Sequence, residues 1–239
     1  MNPKEDAMLS PLKLIILAAL AALPARAPRG EDNTLTEEEK KAGWKLLFNG
    51  KTTEGWRGYK KDKMPDGWKV IDGILTTGGK NGDVVTVEEF ADFELQADWR
   101  ISPRGNSGIM YRVSESEGAP YMTGPEYQVL DDAGHGDGKN PLTSAGSIYD
   151  VYAPSKKVVK GPGEWNHTRI IAKGNHLEHW MNGEKIVEAE IGSDDWNQRI
   201  ARSKWAKATK YAKETKGHID LQDHGDKVEF KNLKILELK

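Results

Sequence analysis

Apolar and polar positions alternate with a period of two along most of the chain, and the alternation breaks in a single stretch. Phe93, Leu95, Ala97, Trp99 and Ile101 fall on one side of an extended segment, with Glu94, Gln96, Asp98 and Arg100 on the other. The segments 106–113, 125–131, 165–172, 177–181 and 185–191 are likewise predicted to be strands, and 228–238 is predicted to be the final one. Turn signals separate them: Asn49-Gly50, Asp72-Gly73 and Asn182-Gly183 are tight-turn dipeptides, and 67–75 reads as two short strands around the second of these. Segment 217–222 has a mixed character. Ile219 and Leu221 point one way, while His218, Asp220, Gln222 and then His224 point the other, so one face is core and the other a polar floor.

The exception is 194–216, where Trp196, Ile200, Trp205, Ala208, Tyr211 and Ala212 recur at helical spacings behind Asp194 and Asp195. This predicts one amphipathic helix covering an edge of the sheets. Many short strands, glycine-rich turns and a single helix make an all-β fold, a two-sheet jelly-roll sandwich with one inserted amphipathic helix. The domain is expected over 43–239. Before it, 28–42 reads as a linker, in which Thr36 ahead of three glutamates can cap a short helix.

Residues 1–27 have another layout. Lys13, the apolar run 14–23 and Ala25-Arg-Ala27 match a secretory signal peptide, and the run is too short for a membrane span of roughly 20 residues. The protein is therefore expected to be exported, periplasmic or extracellular, with no membrane span in the mature chain. The absence of cysteine rules out disulfides, catalytic thiols and thiolate metal sites. A formal charge of −2 does not suit a nucleic-acid binder. Eight Trp and seven Tyr against four Phe supply flat rings with polar edges, as carbohydrate binding needs.

Several segments fit one pattern in the same order: Trp44-Lys-Leu-Leu-Phe-Asn-Gly50 with Gly55-Trp56, Asn106-Ser-Gly108 with Arg112, 124–131, 163–166, 179–183 and 217–225. Together they make the chain resemble the 3-keto-disaccharide hydrolases over roughly 44–238. The resemblance implies a concanavalin-like sandwich with a concave sheet, exported by glycan-degrading bacteria and acting on glycosides already oxidised at C3. A companion sugar 3-oxidoreductase would supply such a substrate. The endoglucanase signature E-x-D-x-x-E is absent from the chain.

A ketone at C3 acidifies the C2 proton, and the C1 glycosidic oxygen lies beta to the resulting enolate. Elimination, followed by addition of water, completes a net hydrolysis. The chemistry needs a base, a group that steadies the enolate oxygen and a donor for the leaving oxygen. Glu126 and His224 are the candidates for acid and base, in an order that the residues leave open, and Arg112 is the candidate electrophile. Asn106, Tyr111, Gln128, Asp131 and Gln222 are candidate sugar contacts, although Tyr111 has the parity of the core residue Ile109. A divalent ion could be held by His218, Asp220 and His224 or by the acidic loop 131–138, neither having a diagnostic spacing. His176 and His179 lie on opposite faces and read as structural. The alternative function is a non-catalytic carbohydrate-binding module on the same sandwich.

Overall fold

The computed structural model describes residues 31–239, so the signal-like segment lies outside the described residues. Two antiparallel sheets face each other. The larger runs in the order β11 (Glu184–Glu190), β10 (His176–Met181), β9 (Asn166–Lys173), β6 (Phe93–Ile101), β13 (Val228–Glu237), β4 (Ile74–Thr77) and β3 (Lys69–Ile71), with β1 (Lys45–Leu46) also on β13. The smaller runs β2 (Trp56–Gly58), β5 (Val84–Thr86), β12 (His218–Leu221), β7 (Asn106–Val113) and β8 (Glu126–Leu130). This is the two-sheet jelly-roll sandwich predicted from alternation. Strands β2 and β5 are too short to show a period, and they emerge only from their pairing with each other.

The predicted apolar sides meet between the sheets. Phe93, Leu95, Ala97 and Trp99 of β6 pack with Ile109 and Tyr111 of β7, Tyr127 and Val129 of β8, and Ile219 and Leu221 of β12, all fully buried. Each of the larger side chains contributes about 1.5–3 kcal/mol by leaving water. Two polar pairs are buried in this core: Trp99 Nε1 donates to Thr168 Oγ1 at 2.9 Å, and Tyr111 O–H lies 3.0 Å from His179 Nε2. His179 Nδ1 faces the Gly146 carbonyl at 2.9 Å, which can only accept, so Nδ1 carries the proton and Nε2 accepts from Tyr111. Burial pushes the imidazole down to about 4, keeping it neutral. The turns at Asp72-Gly73 and Asn182-Gly183 each place both residues at positive φ (50° and 78°, 51° and 91°), as a two-residue hairpin requires.

The structure corrects two expectations. Residues 31–42 are part of the fold: Asn33 exchanges hydrogen bonds with Asn232, a helix at Glu37–Ala42 (α1) is closed by a Thr36/Glu39 capping box, and Glu39 pairs with Lys234. The long helix, in turn, is divided. It ends at Arg202 (α2, Asp194–Arg202), where Ser203 donates its hydroxyl to Ile200 O and accepts from Trp205 N, starting a separate 3-10 turn at Lys204–Lys207. A serine hydroxyl competes with helical hydrogen bonding in this way. The apolar spacing beyond it belongs to Trp205 and Tyr211, which plug the core from irregular backbone.

Candidate active site

Strand pairing lines up one row of side chains on the outer face of the smaller sheet. Glu126 on β8 is opposite Met110 on β7, Met110 opposite Asp220 on β12, Asp220 opposite Val85 on β5, and Val85 opposite Arg57 on β2. Glu126 and Asp220 therefore flank Met110 from strands two apart, with Cα atoms separated by about 10 Å at roughly 4.8 Å per strand. Both carboxyls are buried, at 4% and 0% exposure. Among the described residues neither Asp220 oxygen has a hydrogen-bond partner.

Burial pushes the Glu126 carboxyl up to about 8; the Lys204 ammonium pulls it down, and Asp83 and Asp137 add to the rise. Asp220 is raised well above the usual carboxylate range by burial, then by Asp83 and Glu126, with no cation opposing. Asp83, whose Oδ1 accepts from Asp223 N at 2.8 Å, is itself pushed up to about 6, mainly by burial. Burial thus favours the protonated forms of Glu126 and Asp220 near neutrality, the condition for moving protons to and from a substrate.

Around the pair lies a floor of amide acceptors. Asn106 Oδ1, Gln128 Oε1 and Gln222 Oε1 are buried and without partners. Gln128 spends its amide nitrogen on the Thr143 carbonyl at 3.3 Å, which aims the oxygen away from that bond. Uncompensated acceptors of this kind cost about 1–3 kcal/mol each, and hydroxyl donors of a sugar would satisfy them. The Glu126 side chain lies flat over Gly108, where an added Cβ would come within 2.4 Å of Oε1. Beside it, Tyr149 O–H donates to Asp137 Oδ2 at 3.1 Å, and the Lys204 ammonium sits 3.8 Å from the Tyr149 ring centroid.

Of the residues named from sequence, Glu126, Gln128, Gln222 and Asn106 come together here. His224 lies exposed at the rim, its ring 6.5 Å from that of His135. Asp131 serves the adjoining loop, accepting from Arg104 N at 2.7 Å and Ala133 N at 3.2 Å. Two residues are placed elsewhere. Tyr111 points into the core, as its parity suggested, and cannot reach the outer face.

Arg112 shares the parity of Met110, yet the register slips between His218 and Asp220, and Arg112 absorbs the extra residue at φ 52°. Its guanidinium turns to the Ala91 and Gly174 carbonyls at 2.9 and 2.7 Å and to Asp92 at 3.1 Å. Replacing Arg112 by Ala strands those acceptors and is expected to cost roughly 1–3 kcal/mol in urea unfolding. The turnover of the folded fraction should be preserved.

Asp220, Asp83 and Lys204 were not identified as acid–base groups from sequence. Asp220 does carry a sequence signal, an acid at the centre of a polar strand face, but residue types alone suit it equally to holding an ion. Among the described residues, the set whose ligand atoms lie within 4.8 Å of one another is instead His176, Glu178 and Glu188 on β10 and β11. There Lys185 already bridges the two glutamates.

A cavity of about 200 Å³ lies apart from the carboxyl row, between the Asp132–Ala145 loops and residues 154–159, and contains none of these acids.

The profile of the family described as the 3-keto-alpha-glucoside-1,2-lyase-like domain matches residues 43–236. A 3-keto-disaccharide hydrolase of Bacteroides thetaiotaomicron is 32% identical over 225 residues, covering 81% of this chain and 78% of the relative. A crystal structure from Parabacteroides distasonis, named as a candidate glycosyl hydrolase, superimposes with a TM-score of 0.83 at 42% identity, covering 87% of this chain and all of that one. A second from the same organism, similarly named, gives a TM-score of 0.65 at 31% identity, covering 82% and 99%.

Proposed function

Since the chain belongs to the 3-keto-alpha-glucoside-1,2-lyase-like family, as a glycoside-cleaving enzyme, we propose that it opens the glycosidic bond of 3-keto-glycosides by removing the C2 proton and expelling the C1 oxygen. What carries this reading is the pair of buried carboxyls that flank Met110 on one face of the smaller sheet with opposite electrostatic settings. Glu126 has Lys204 to favour its anion, whereas the charges that act on Asp220 are the acids Asp83 and Glu126. Glu126 therefore ionises first and takes the C2 proton. Asp220 keeps its proton until the leaving oxygen needs it.

The C2–H electron pair moves into a C2–C3 double bond and places charge on the C3 oxygen. When the ketone re-forms, C1–C2 becomes the double bond and the C1–O bond breaks, with Asp220 protonating the departing oxygen. Water then adds to the unsaturated sugar, completing a net hydrolysis. Asn106, Gln128 and Gln222 accept hydrogen bonds from the ring hydroxyls. The ketone must come from an earlier oxidation, so a sugar 3-oxidoreductase belongs upstream, and we place both steps outside the cytoplasm.

The test is to incubate the protein with a 3-keto-disaccharide and with its unoxidised parent, each with and without chelator. Only the oxidised sugar should be cleaved, and its C2 hydrogen should exchange in D2O. Binding without cleavage would mark a carbohydrate-binding module, and equal cleavage of both sugars would exclude elimination. Gly108→Ala gives a geometric check. Its new methyl must displace the Glu126 carboxyl, so kcat should fall roughly a hundredfold while the melting temperature stays close to that of the parent.

A further inference from the structure

The proposed reaction needs a group on the C3 oxygen, and Arg112 does not supply it, its guanidinium being committed to Ala91, Gly174 and Asp92. Arg57, at the far end of the carboxyl row, is held bidentately by Glu115 at 2.7 and 2.8 Å. Lys204 is differently placed. The break at Ser203 turns the chain so that Lys204 leads a new 3-10 turn, anchored by its backbone N–H on Asp150 Oδ2 at 2.7 Å.

Its ammonium rests against two rings, 3.8 Å from the centroid of Tyr149 and 4.4 Å from that of Trp205. Those rings are themselves fixed. Trp205 stacks on Tyr211 at 4.7 Å with planes 7° apart and donates Nε1–H to the Tyr149 carbonyl at 2.9 Å. Among the described residues no carboxylate lies within 4.0 Å of the Lys204 ammonium and no acceptor takes a hydrogen bond from it. A cation pinned by aromatic faces thus keeps its N–H donors uncommitted. Glu126 is the carboxyl that acts on it most strongly, from beyond ion-pair distance. Tyr149, against whose ring the ammonium rests, donates its backbone N–H to the Glu126 carbonyl at 3.1 Å, so an exposed ammonium and a buried carboxyl stand on neighbouring residues.

Building on the enzymatic reading above, we infer that Lys204 is a catalytic residue whose ammonium donates a hydrogen bond to the C3 oxygen of the 3-keto sugar. The bond strengthens as the C2 proton passes to Glu126 and the oxygen becomes an enolate. Lys204 neither gains nor loses a proton in that step. It acts on the charge formed in the transition state, so its loss should appear in kcat more than in KM.

The experiment compares the parent with Lys204→Met and Lys204→Arg on a 3-keto-disaccharide, measuring kcat, KM, C2–H exchange in D2O and melting temperature. Lys204→Met should lower kcat a hundredfold or more and slow C2 exchange in parallel, with KM within about threefold and an unchanged melting temperature. Lys204→Arg should recover part of the loss. A parent that exchanges and cleaves beside a Lys204→Met variant whose kcat is within threefold of it, or whose loss lies wholly in KM, would overturn this assignment alone. A parent that neither exchanges nor cleaves would overturn the enzymatic reading and the role of Lys204 with it.

Discussion

Glu126→Gln should abolish most turnover of a 3-keto-disaccharide while leaving its binding nearly intact. The amide has the shape of the carboxyl and keeps an acceptor toward the sugar, but it cannot take a proton. Removing a positioned general base typically costs 10²–10⁴ in rate, so kcat should fall by about that factor with KM little changed. Because burial holds this carboxyl up to about 8, the kcat/KM of the parent should climb with pH toward that value as the base ionises. Residual activity in the variant should lose this limb of the profile. Full activity with an unaltered pH profile in Glu126→Gln would remove the base from the mechanism. Intact affinity with unchanged product yield would favour a binding module.

Asp220→Asn should do two things in opposite directions. It removes the proton donor for the leaving oxygen, with an expected loss of about 10²–10⁴ in kcat. It also relieves a buried carboxyl that has no partner for either oxygen. In the fold this carboxyl titrates well above its ordinary range. The parent therefore loses stability as pH rises from the unfolded carboxylate value, about 3.9, through the folded one, because the unfolded chain gives up its proton first.

The variant lacks that slope. The two proteins should melt alike near pH 4, and the variant should melt higher at pH 8. The gain is expected at roughly 1–3 kcal/mol, and at about 2–4 °C per kcal/mol for a domain of this size it is readily measured by calorimetry. Equal melting temperatures across that range would mean that Asp220 is satisfied in solution. A stabilised but inactive variant is the pattern expected of a site whose strain serves function.

Alternation was enough for the fold class and the longer strands, but not for the three-residue strands β2 and β5. Whereas in β13 the parity changes at a bulge around Asn232, a period of two assigns the side chains of β6 and β8 to core or outer face without knowledge of their neighbours, and Asn-Gly and Asp-Gly dipeptides place the turns. That is why Tyr127, Val129, Ile219 and Leu221 could be assigned to the core, and Glu126, Gln128 and Asn106 to a polar face. The same logic failed where the backbone departs from regularity. The register slip beside Arg112 rotates a residue of the right parity out of the row, and the Ser203 hydroxyl ends a helix whose apolar spacing appeared continuous. Both are local hydrogen-bonding choices that a periodic pattern does not encode.

The chemistry of the site required a further level. An acid on an exposed strand face and one in a closed hollow are the same letter, and they differ by burial and by which charges lie near. Residue types and alternation settled that Glu126 and Asp220 stand on polar strand faces. Pairing across β8, β7 and β12 decided that they flank one residue, and packing decided that, among the described residues, the charges raising Asp220 are those of Asp83 and Glu126. The irregular return of the chain after α2 brings Lys204 beside Glu126 from 78 positions away in sequence. Contacts at that separation form only when the sheet closes, because neither residue has a local interaction that anticipates the other.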